Sequence, residues 1–321
     1  MKAVICTAYG PPEVLEVREV EKPTPAENEI LVKVQVAVVG PADVAFRKGE
    51  PFLVKLMYGL RKPRQPIMGT EFAGEVEAVG SAVTQYAAGD RVFGLSTEFG
   101  SHAEYMCLKE TQPMAKMPDG MSFEDAVAIA DGAPTGLTFL RDVAKVQSGQ
   151  KVLVNGASGA VGAYSVQLAK HYGAHVTGVC SERNVELVQS LGADAVIDYT
   201  QNDFTQTGPY DVILDAVGKS SFGRCKGALS PTGVYMTTTV PNLPMIAAMI
   251  STSFGSGKKA KFTTAGLKQS TENFAYLAGL FEQGTLKPVI DRRFALDDII
   301  EAYKYVETGR KRGNALIMVA Q

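Results

Sequence analysis

The stretch KVLVNGASGAVGAYSVQLAK, residues 151 to 170, decides the fold of this chain. It predicts an apolar strand over 151–155, a turn that carries Gly156, Gly159 and Gly162, and an amphipathic helix. A turn as tight as this needs residues without a β-carbon, so that the backbone can approach a pyrophosphate and the helix can pack on the strand. The N–H groups and the positive dipole end of that helix favour a phosphate.

The glycine spacing differs from the common G-x-G-x-x-G pattern, because Ala157 holds the middle site. The turn still predicts a dinucleotide site, because it lies between a strand and a helix with a second strand about 20 residues further on. The alternative is a turn whose glycines serve the backbone alone. We predict that the cofactor contacts the whole turn: Gly156, Ala157, Ser158, Gly159, Ala160, Val161 and Gly162.

Composition and charge are those of an ordinary globular protein. The chain has 321 residues, of which 45% are hydrophobic and 21% charged, and its formal net charge is −2. This length allows two domains and a large core, and this charge argues against a nucleic-acid partner. No apolar run reaches the roughly 18 residues of a membrane span, so we expect no membrane partner.

The cysteines and the N-terminus predict a cytoplasmic protein. Cys6, Cys107, Cys180 and Cys225 are far apart and lie in apolar contexts, which is typical of reduced packing residues. A strand begins directly after Met1, which leaves no room for a signal or transit peptide.

The hydrophobic period changes near residue 120. Before it, short valine-rich runs between proline and glycine turns predict a barrel-like antiparallel domain. After it, predicted strands alternate with helices near 162–172, 184–191 and 219–229, and the strands are 151–155, 175–180, 195–198, 210–215, 233–239 and 260–264. Such alternation indicates βαβ units and a parallel sheet covered on both faces. The tail after 265 is too short for its own domain and must complete one of the other two.

These features resemble the medium-chain dehydrogenase/reductase superfamily, specifically its zinc-independent quinone oxidoreductase-like branch. The markers span essentially the whole chain: MKAVICTAYGPPEVLEV at the start, GTEFAGEVEAVG at 69–80, GDRVFG at 89–94, GASGAVG at 156–162, LGADAVIDY at 191–199, DAVG at 215–218, and GTLKPVIDRRFAL and GRKRGNALIMV in the tail. The resemblance implies an α/β fold with a GroES-like β-barrel catalytic domain over 1–119, completed by 266–321. It further implies a Rossmann NADP-binding domain with a doubly wound parallel sheet over 120–265, and an active site between the two domains. We expect a homodimer.

The resemblance places the catalytic zinc ligands of related enzymes on Gly40, Thr70 and Asp131. None of these is Cys or His, the residues that zinc prefers, and the four-cysteine lobe of a structural zinc has no counterpart. His102 alone makes no metal site. The carboxylates of Glu71 and Asp131 leave a metal open as an alternative, but we expect none.

The second strand of the predicted Rossmann domain ends in HVTGVCSERN, residues 175–184. An NAD enzyme usually has an acidic residue here, on the ribose hydroxyls. Ser181 and Arg183 suit a 2′-phosphate instead, because a guanidinium offers several donors to its oxygens. The resemblance aligns Asn184 with this pocket as well, and Tyr199 with a residue that packs near the adenosine. Glu182 could instead face the ribose of NAD, and Ser181 could be a helix cap alone; we expect NADP(H).

The resemblance also implies contacts near the nicotinamide and along the cofactor, by Gly40, Thr135, Ala216, Val217 and Asn314. Phe254, in an apolar loop at 242–257, is predicted to pack beside the nicotinamide or a partner subunit. We find no obligatory proton donor. Tyr58 is a weak candidate, and a surface or packing role is the alternative.

The predicted chemistry follows from the missing zinc ligands. Alcohol oxidation needs a Lewis acid or base to form the alkoxide, whereas hydrogen bonds can stabilise the anion formed from a quinone or an enone. We therefore expect an NADPH-dependent oxidoreductase that transfers hydride to a quinone or an α,β-unsaturated carbonyl. The apolar segment 52–58 would cover that substrate or simply pack as a helix. The alternatives are a non-enzymatic NADPH-binding sensor or scaffold and an enoyl-thioester reductase.

Overall fold

The computed structural model describes residues 1–264 and 269–320, apart from the side chain of Leu53. The chain forms two compact units. The first comprises Met1–Asp131, Ser270–Glu282 and Pro288–Gln321, and the second comprises Gly132–Gln269 and Gln283–Lys287. The predicted domain boundary at 265/266 lies outside the described residues.

The elements follow each other in three stretches of the chain. The first unit begins with β1 (Lys2–Cys6), β2 (Leu15–Glu19), β3 (Glu29–Val39), α1 (Pro41–Lys48), α2 (Phe52–Tyr58), β4 (Glu71–Val79), β5 (Arg91–Leu95), β6 (Tyr105–Lys109), β7 (Met114–Lys116) and α3 (Phe123–Ala130). The second unit contains α4 (Ala133–Leu137), β8 (Lys151–Asn155), α5 (Ala160–His171), β9 (His175–Cys180), α6 (Val185–Ser190), β10 (Ala195–Asp198), β11 (Tyr210–Asp215), α7 (Phe222–Cys225), β12 (Leu229–Thr237), α8 (Leu243–Ser253) and β13 (Lys259–Lys261). The first unit then ends with α9 (Thr271–Glu282), β14 (Ile290–Ala295), α10 (Ile299–Glu307) and β15 (Asn314–Met318).

The first unit is built on a mainly antiparallel sheet. Its strand order is β14-β15-β3-β4-β5-β7, with β6 also paired to β3. The long strand β3 is rich in valine, and Ile30, Val32 and Val34 are buried on its core face. The last strand, β15, pairs antiparallel with β3, so that the tail completes this sheet.

Helix α3 belongs to the first unit, which therefore extends to Asp131, whereas the sequence predicts a boundary at 119/120. The physical reason lies in its apolar face. Residues 126–130 are buried, and the helix contacts β3, β4 and β5. Ser122 caps its first turn by accepting a hydrogen bond from the Asp125 backbone N–H.

The second unit contains a parallel sheet with the strand order β10-β9-β8-β11-β12-β13. This is the doubly wound order of dinucleotide-binding folds, in which ligands bind beyond the carboxyl ends of the strands where the order reverses, here β8 and β11. The predicted α/β fold class is confirmed. Among the described residues, no helix has both the length and the apolar character needed to cross a membrane.

Two predictions about local structure are wrong. The segment 242–257 is not a loop throughout, because it contains α8, capped by Asn242 and with Pro244 in its first turn, where proline is compatible with a helix. The helix predicted over 219–229 is confined to α7 and a 3₁₀ turn at Lys226–Ala228.

Candidate functional site

The three glycines at the turn from β8 into α5 lack a side chain for different structural reasons. Gly156 has φ +82°, and a Cβ there would lie 2.5 Å from Val217 Cγ1. A Cβ on Gly162 would overlap the carbonyl oxygen of Gly156. Gly159 has an ordinary φ of −81°, and the nearest atom to its Cβ position is the Gly156 oxygen at 3.6 Å. Folding therefore requires glycine at Gly156 and Gly162, but not at Gly159, where a bound pyrophosphate would account for the missing side chain.

The turn is tied to β9 and ends at the start of α5. The backbone N–H groups of Gly156 and Ala157 both donate to the carbonyl oxygen of Val179, at 3.0 Å each. The first N–H groups of a helix have no acceptor inside it, so those of Ala160 and Val161 suit a phosphate.

The structure brings together the residues predicted to bind a 2′-phosphate. Asn184 is buried, and its Nδ2 donates to Ser158 Oγ at 3.0 Å and to Ser181 Oγ at 3.3 Å. Arg183 is exposed on the same turn. The Tyr199 backbone N–H donates to the Cys180 carbonyl oxygen, which places this exposed tyrosine beside the end of β9. Contact of these groups with the cofactor stays a prediction.

Fully buried Asp215, at the end of β11, fixes the loop that carries Ala216 and Val217. Its carboxylate accepts hydrogen bonds from five groups: Asn155 Nδ2, Val217 N, Gly218 N, Ser220 N and Tyr235 Oη. Burial and the Asp215 charge raise the pKa of Tyr235, so its phenol remains a donor. The loop holds Val217 against Gly156, next to the phosphate turn.

Thr135 lies on α4, which packs against α5. A Cβ on Gly132 would lie 2.7 Å from the Ala160 backbone, and a Cβ on Gly136 would lie 2.8 Å from Ser165 Oγ. These two glycines allow the close approach of the helices. Thr135 is half-buried between them.

In the first unit, the positions of zinc ligands in related enzymes lie among carboxyl groups. The Gly40 N–H donates to Asp43 Oδ2 at 2.8 Å. A Cβ on Gly40 would lie 3.7 Å from Asp43 Oδ2 and 3.8 Å from Asp131 Oδ1. Lys311 Nζ lies 3.7 Å from Asp131 Oδ2. The Thr70 hydroxyl donates to Glu71 Oε2 at 2.7 Å.

Burial is the main cause of the pKa shifts among these clustered carboxyl groups. It raises the pKa of Asp43 to about 7, and the Asp131 charge adds to the rise. Burial, Asp131 and Asp43 likewise raise the pKa of Glu71 well above its usual range. In the part of the chain that the structure describes, no three Cys, His, Asp or Glu side chains are arranged to hold a metal ion. Glycine, threonine and aspartate at the ligand positions do not fit a catalytic zinc.

The first unit also contains an apolar pocket of about 230 Å³. Its main wall is a group of three rings in edge-to-face contact, with centroid distances of 5.0 Å for Phe46–Tyr58, 4.8 Å for Phe46–Phe99 and 5.2 Å for Tyr58–Phe99. The remaining lining residues are Tyr9, Met57, Pro63, Arg64, Gln65, Met68, Thr97 and Glu98. A dry apolar cavity of about 150 Å³ accommodates benzene, so this pocket is large enough for one ring.

Phe99 is a site residue that sequence reasoning missed. Its φ of +65° is rare for a bulky side chain and is typical of positions where the surrounding structure holds a residue in place for function. Its carbonyl oxygen accepts a hydrogen bond of 2.7 Å from Ser96 Oγ. No propensity rule signals such a conformation for phenylalanine. Tyr58 lies in the pocket wall, and its role as a proton donor stays a prediction.

The remaining predicted residues lie either in the interior of the first unit or on the surface of the protein. Asn314 is fully buried, and its Nδ2 donates to the Ala128 carbonyl oxygen at 2.9 Å, which anchors β15 to α3. His102 is fully buried, with Nε2 2.9 Å from the Val38 carbonyl oxygen, and burial lowers its pKa to about 4. Phe254 is exposed after α8. Cofactor contacts by Asn314, Gly40 and Phe254 stay predictions.

Known proteins resemble the chain over its whole length. Residues 26–119 match the family model described as alcohol dehydrogenase GroES-like domain, and residues 191–317 match that described as zinc-binding dehydrogenase. The chloroplastic quinone-oxidoreductase homolog of Spinacia oleracea is 31% identical over 99% of this chain and 98% of its own length. The 2-methylene-furan-3-one reductase of Solanum lycopersicum is 32% identical, over 99% of this chain and 79% of its own.

A solved structure, the quinone oxidoreductase from Coxiella burnetii, superimposes with a TM-score of 0.88 at 29% identity, covering 100% of this chain and 99% of that one. The predicted resemblance is confirmed. The chain belongs to the zinc-independent, quinone oxidoreductase-like branch of the medium-chain dehydrogenase/reductase superfamily, a family of oxidoreductases.

Proposed function

We propose that this enzyme uses NADPH to reduce a quinone or an α,β-unsaturated carbonyl compound without a metal. The observation that carries the proposal is the turn at Gly159, where the fold leaves room for a side chain and the sequence has none. A dinucleotide whose pyrophosphate occupies that room would also meet the start of α5. When bound, the cofactor supplies the hydride, and residues of the second unit hold and orient it.

The preference for NADPH over NADH is supported by the groups at the end of β9. Ser158, Ser181 and Asn184 form a connected set of hydroxyl and amide groups, and Arg183 adds a guanidinium on the same turn. Such donors suit the oxygens of a 2′-phosphate. Glu182, on this turn as well, is the group that would favour NADH.

The acceptor is proposed from the chemistry of the first unit. The pocket walled by Phe46, Tyr58 and Phe99 is apolar and large enough for a ring, which favours a flat conjugated compound. Because such a compound is already polarised, positioning and modest stabilisation of the anion are the main requirements. Gly40, Thr70 and Asp131 do not form a zinc site, and zinc would be the Lewis acid in the oxidation of an alcohol.

A turnover screen tests the proposal. The purified protein is assayed with NADPH deuterated at the transferred position against quinones, enones, enoyl thioesters and simple alcohols. We expect turnover with quinones or enones, with the label at the β-carbon of a reduced enone. Efficient oxidation of alcohols, or no turnover with any conjugated acceptor, would contradict the proposal. Preferred turnover of thioesters would identify an enoyl-thioester reductase instead.

We also propose that the enzyme is a cytoplasmic homodimer. Strand β13 lies at an edge of its sheet and contacts α8, on which Leu243 and Ile250 are exposed. An apolar helix beside an open strand edge suits a second copy related by two-fold symmetry. The four cysteines are free thiols, as is usual in a reducing compartment. Sedimentation analysis measures the oligomeric state directly.

A further inference from the structure

Helix α2 presents large apolar side chains to solvent. Phe52 is 65% exposed, Leu56 53% and Met57 59%, and Leu60, just after the helix, is 65% exposed. On its other side, Tyr58 packs against Phe46 and Phe99. The helix is therefore held by one face while the other carries an apolar surface, and a contiguous surface of this kind marks an interaction site.

The same segment is strongly basic. Between Phe52 and Arg64 the sequence has four basic residues and no acidic one, although the whole chain has a net charge of −2. Within residues 1–264 and 269–320, the structure gives Arg61, Lys62 and Arg64 no ion pair with a carboxylate. Lys55 Nζ lies 5.3 Å from the centre of the Tyr9 ring. Positive charge and apolar surface thus occur together, and among the described residues no carboxylate pairs with Arg61, Lys62 or Arg64.

We propose that the basic apolar segment 52–64 docks on an anionic lipid bilayer. Its apolar side chains would enter the boundary between headgroups and acyl chains, and its cations would meet the anionic headgroups. The sequence predicts no membrane partner because it contains no membrane span, but a helix that lies on the surface needs none. Met57, Tyr58 and Arg64 also line the apolar pocket, so the docked segment would bring that pocket to the source of a lipid-soluble acceptor.

A second copy of the chain is a poorer occupant of this surface. In a two-fold contact the same patch meets itself, so the four cations of one copy would face the four of the other, and like charges across an interface are unfavourable. Helix α8 provides the contrast. The helix itself has no basic residue, and the nearby ammonium groups of Lys258, Lys259 and Lys261, although charged, donate to main-chain carbonyl oxygens of their own chain, so that fewer of their N–H groups remain for lipid headgroups.

Vesicle flotation of the purified full chain tests the proposal. The probes are vesicles of phosphatidylcholine alone and of phosphatidylcholine mixed with phosphatidylserine. We expect binding to the anionic vesicles only, and weaker binding as salt shortens the Debye length below about 10 Å. Arg61→Gln/Lys62→Gln should weaken binding about 30-fold, and Phe52→Ser/Leu56→Ser should weaken it as well. These four side chains are exposed, so the fold should be unaffected, which circular dichroism checks.

Matched controls separate this segment from general charge and apolar effects. Lys33→Gln/Lys109→Gln removes the same charge from the exposed faces of β3 and β6, and Val79→Ser removes an exposed apolar side chain from β4; neither should change vesicle binding. No binding to anionic vesicles, or equal loss in the controls, would overturn the proposal. So would a change of oligomeric state in the α2 variants, which would assign the segment to a contact between copies. The assay does not involve turnover, so its outcome is independent of the proposed reaction.

Discussion

At the scale of single residues, one added Cβ distinguishes the glycine that ligand binding requires from the glycine that the fold requires. Gly159→Val has room for its Cβ in the protein, so we expect the variant to fold normally and to lose measurable NADPH binding. In Gly162→Ala the Cβ would overlap the Gly156 carbonyl oxygen, so we expect a loss of about 1–3 kcal/mol in unfolding free energy. Isothermal titration and denaturant unfolding measure the two effects. Normal NADPH affinity in Gly159→Val would place the phosphate turn elsewhere.

Arg183 is expected to distinguish the two nicotinamide cofactors. A charged hydrogen bond to phosphate contributes roughly 1.5–3 kcal/mol, so Arg183→Ala should weaken NADPH binding by about tenfold or more and leave NADH binding unchanged. Arg224→Ala is the control, because Arg224 is exposed in the same unit and lies 3.7 Å from Asp203. Parallel titrations with both cofactors test the prediction. Equal weakening of NADPH and NADH would assign Arg183 to the structure of the turn rather than to the phosphate.

Residue roles could be predicted where chemistry follows from neighbours in sequence. The turn from Gly156 to Gly162 is one such case, because the strand before it and the helix after it fix its geometry. The residues from Ser181 to Asn184 at the end of β9 are another. The resemblance places Gly40 and Asp131 at one site, but that Asp43 shares this space could not be predicted, because it depends on how α1 is placed on the sheet. The conformation of Phe99 was equally inaccessible, since bulky residues rarely adopt positive φ.

At the scale of elements, the loop after β11 depends on a single carboxylate. Asp215→Asn replaces one accepting oxygen with an NH₂ group. At the Oδ1 position this group would face the Val217 and Gly218 N–H groups, and at the Oδ2 position it would face the Ser220 N–H group. Leaving buried donors unpaired costs about 1–3 kcal/mol each, so we expect a loss of several kcal/mol in stability. Because this loop holds Val217 at the phosphate turn, NADPH affinity should fall as well. A variant with wild-type melting temperature and affinity would show that the loop is fixed by other contacts.

Elements were predictable to the extent that their hydrophobic period is unambiguous. The inner strands β8 and β11 are mostly buried and read as continuous apolar runs, and β8, β9, β10 and β11 all have the predicted bounds. Helix α8 is apolar around much of its circumference and begins beside prolines, and these are also the signals of an apolar loop. Its helical state depends on the Asn242 cap and on contact with β13.

At the scale of the whole molecule, two fully buried groups give opposite pH dependences to stability. The pKa of Asp43 rises from 3.8 to about 7 on folding, so its contribution is fully present below pH 3.8 and is lost as pH rises through about 7. The pKa of His102 falls from 6.5 to about 4, so its contribution is present above pH 6.5 and is lost as pH falls through about 4. Between these limits the slopes of these two groups oppose each other, while Glu71, whose pKa burial also raises, contributes a slope in the same direction as Asp43.

Asp43→Asn should remove the slope that Asp43 contributes. The variant lacks the carboxyl group that stabilises the folded protein most at low pH. Its unfolding free energy, relative to that of the wild type, should therefore increase by about 1.4 kcal/mol per pH unit between about pH 4.5 and 6.5. Glu71 keeps its raised pKa in both proteins, because burial is the main cause of the rise, so its slope is common to the two profiles. The lost hydrogen bond from the Gly40 N–H to Asp43 Oδ2 adds an offset that does not vary with pH, so slopes rather than absolute stabilities are compared. Denaturant unfolding at several pH values measures them, and parallel profiles would mean that Asp43 is ionised in the folded protein throughout this range.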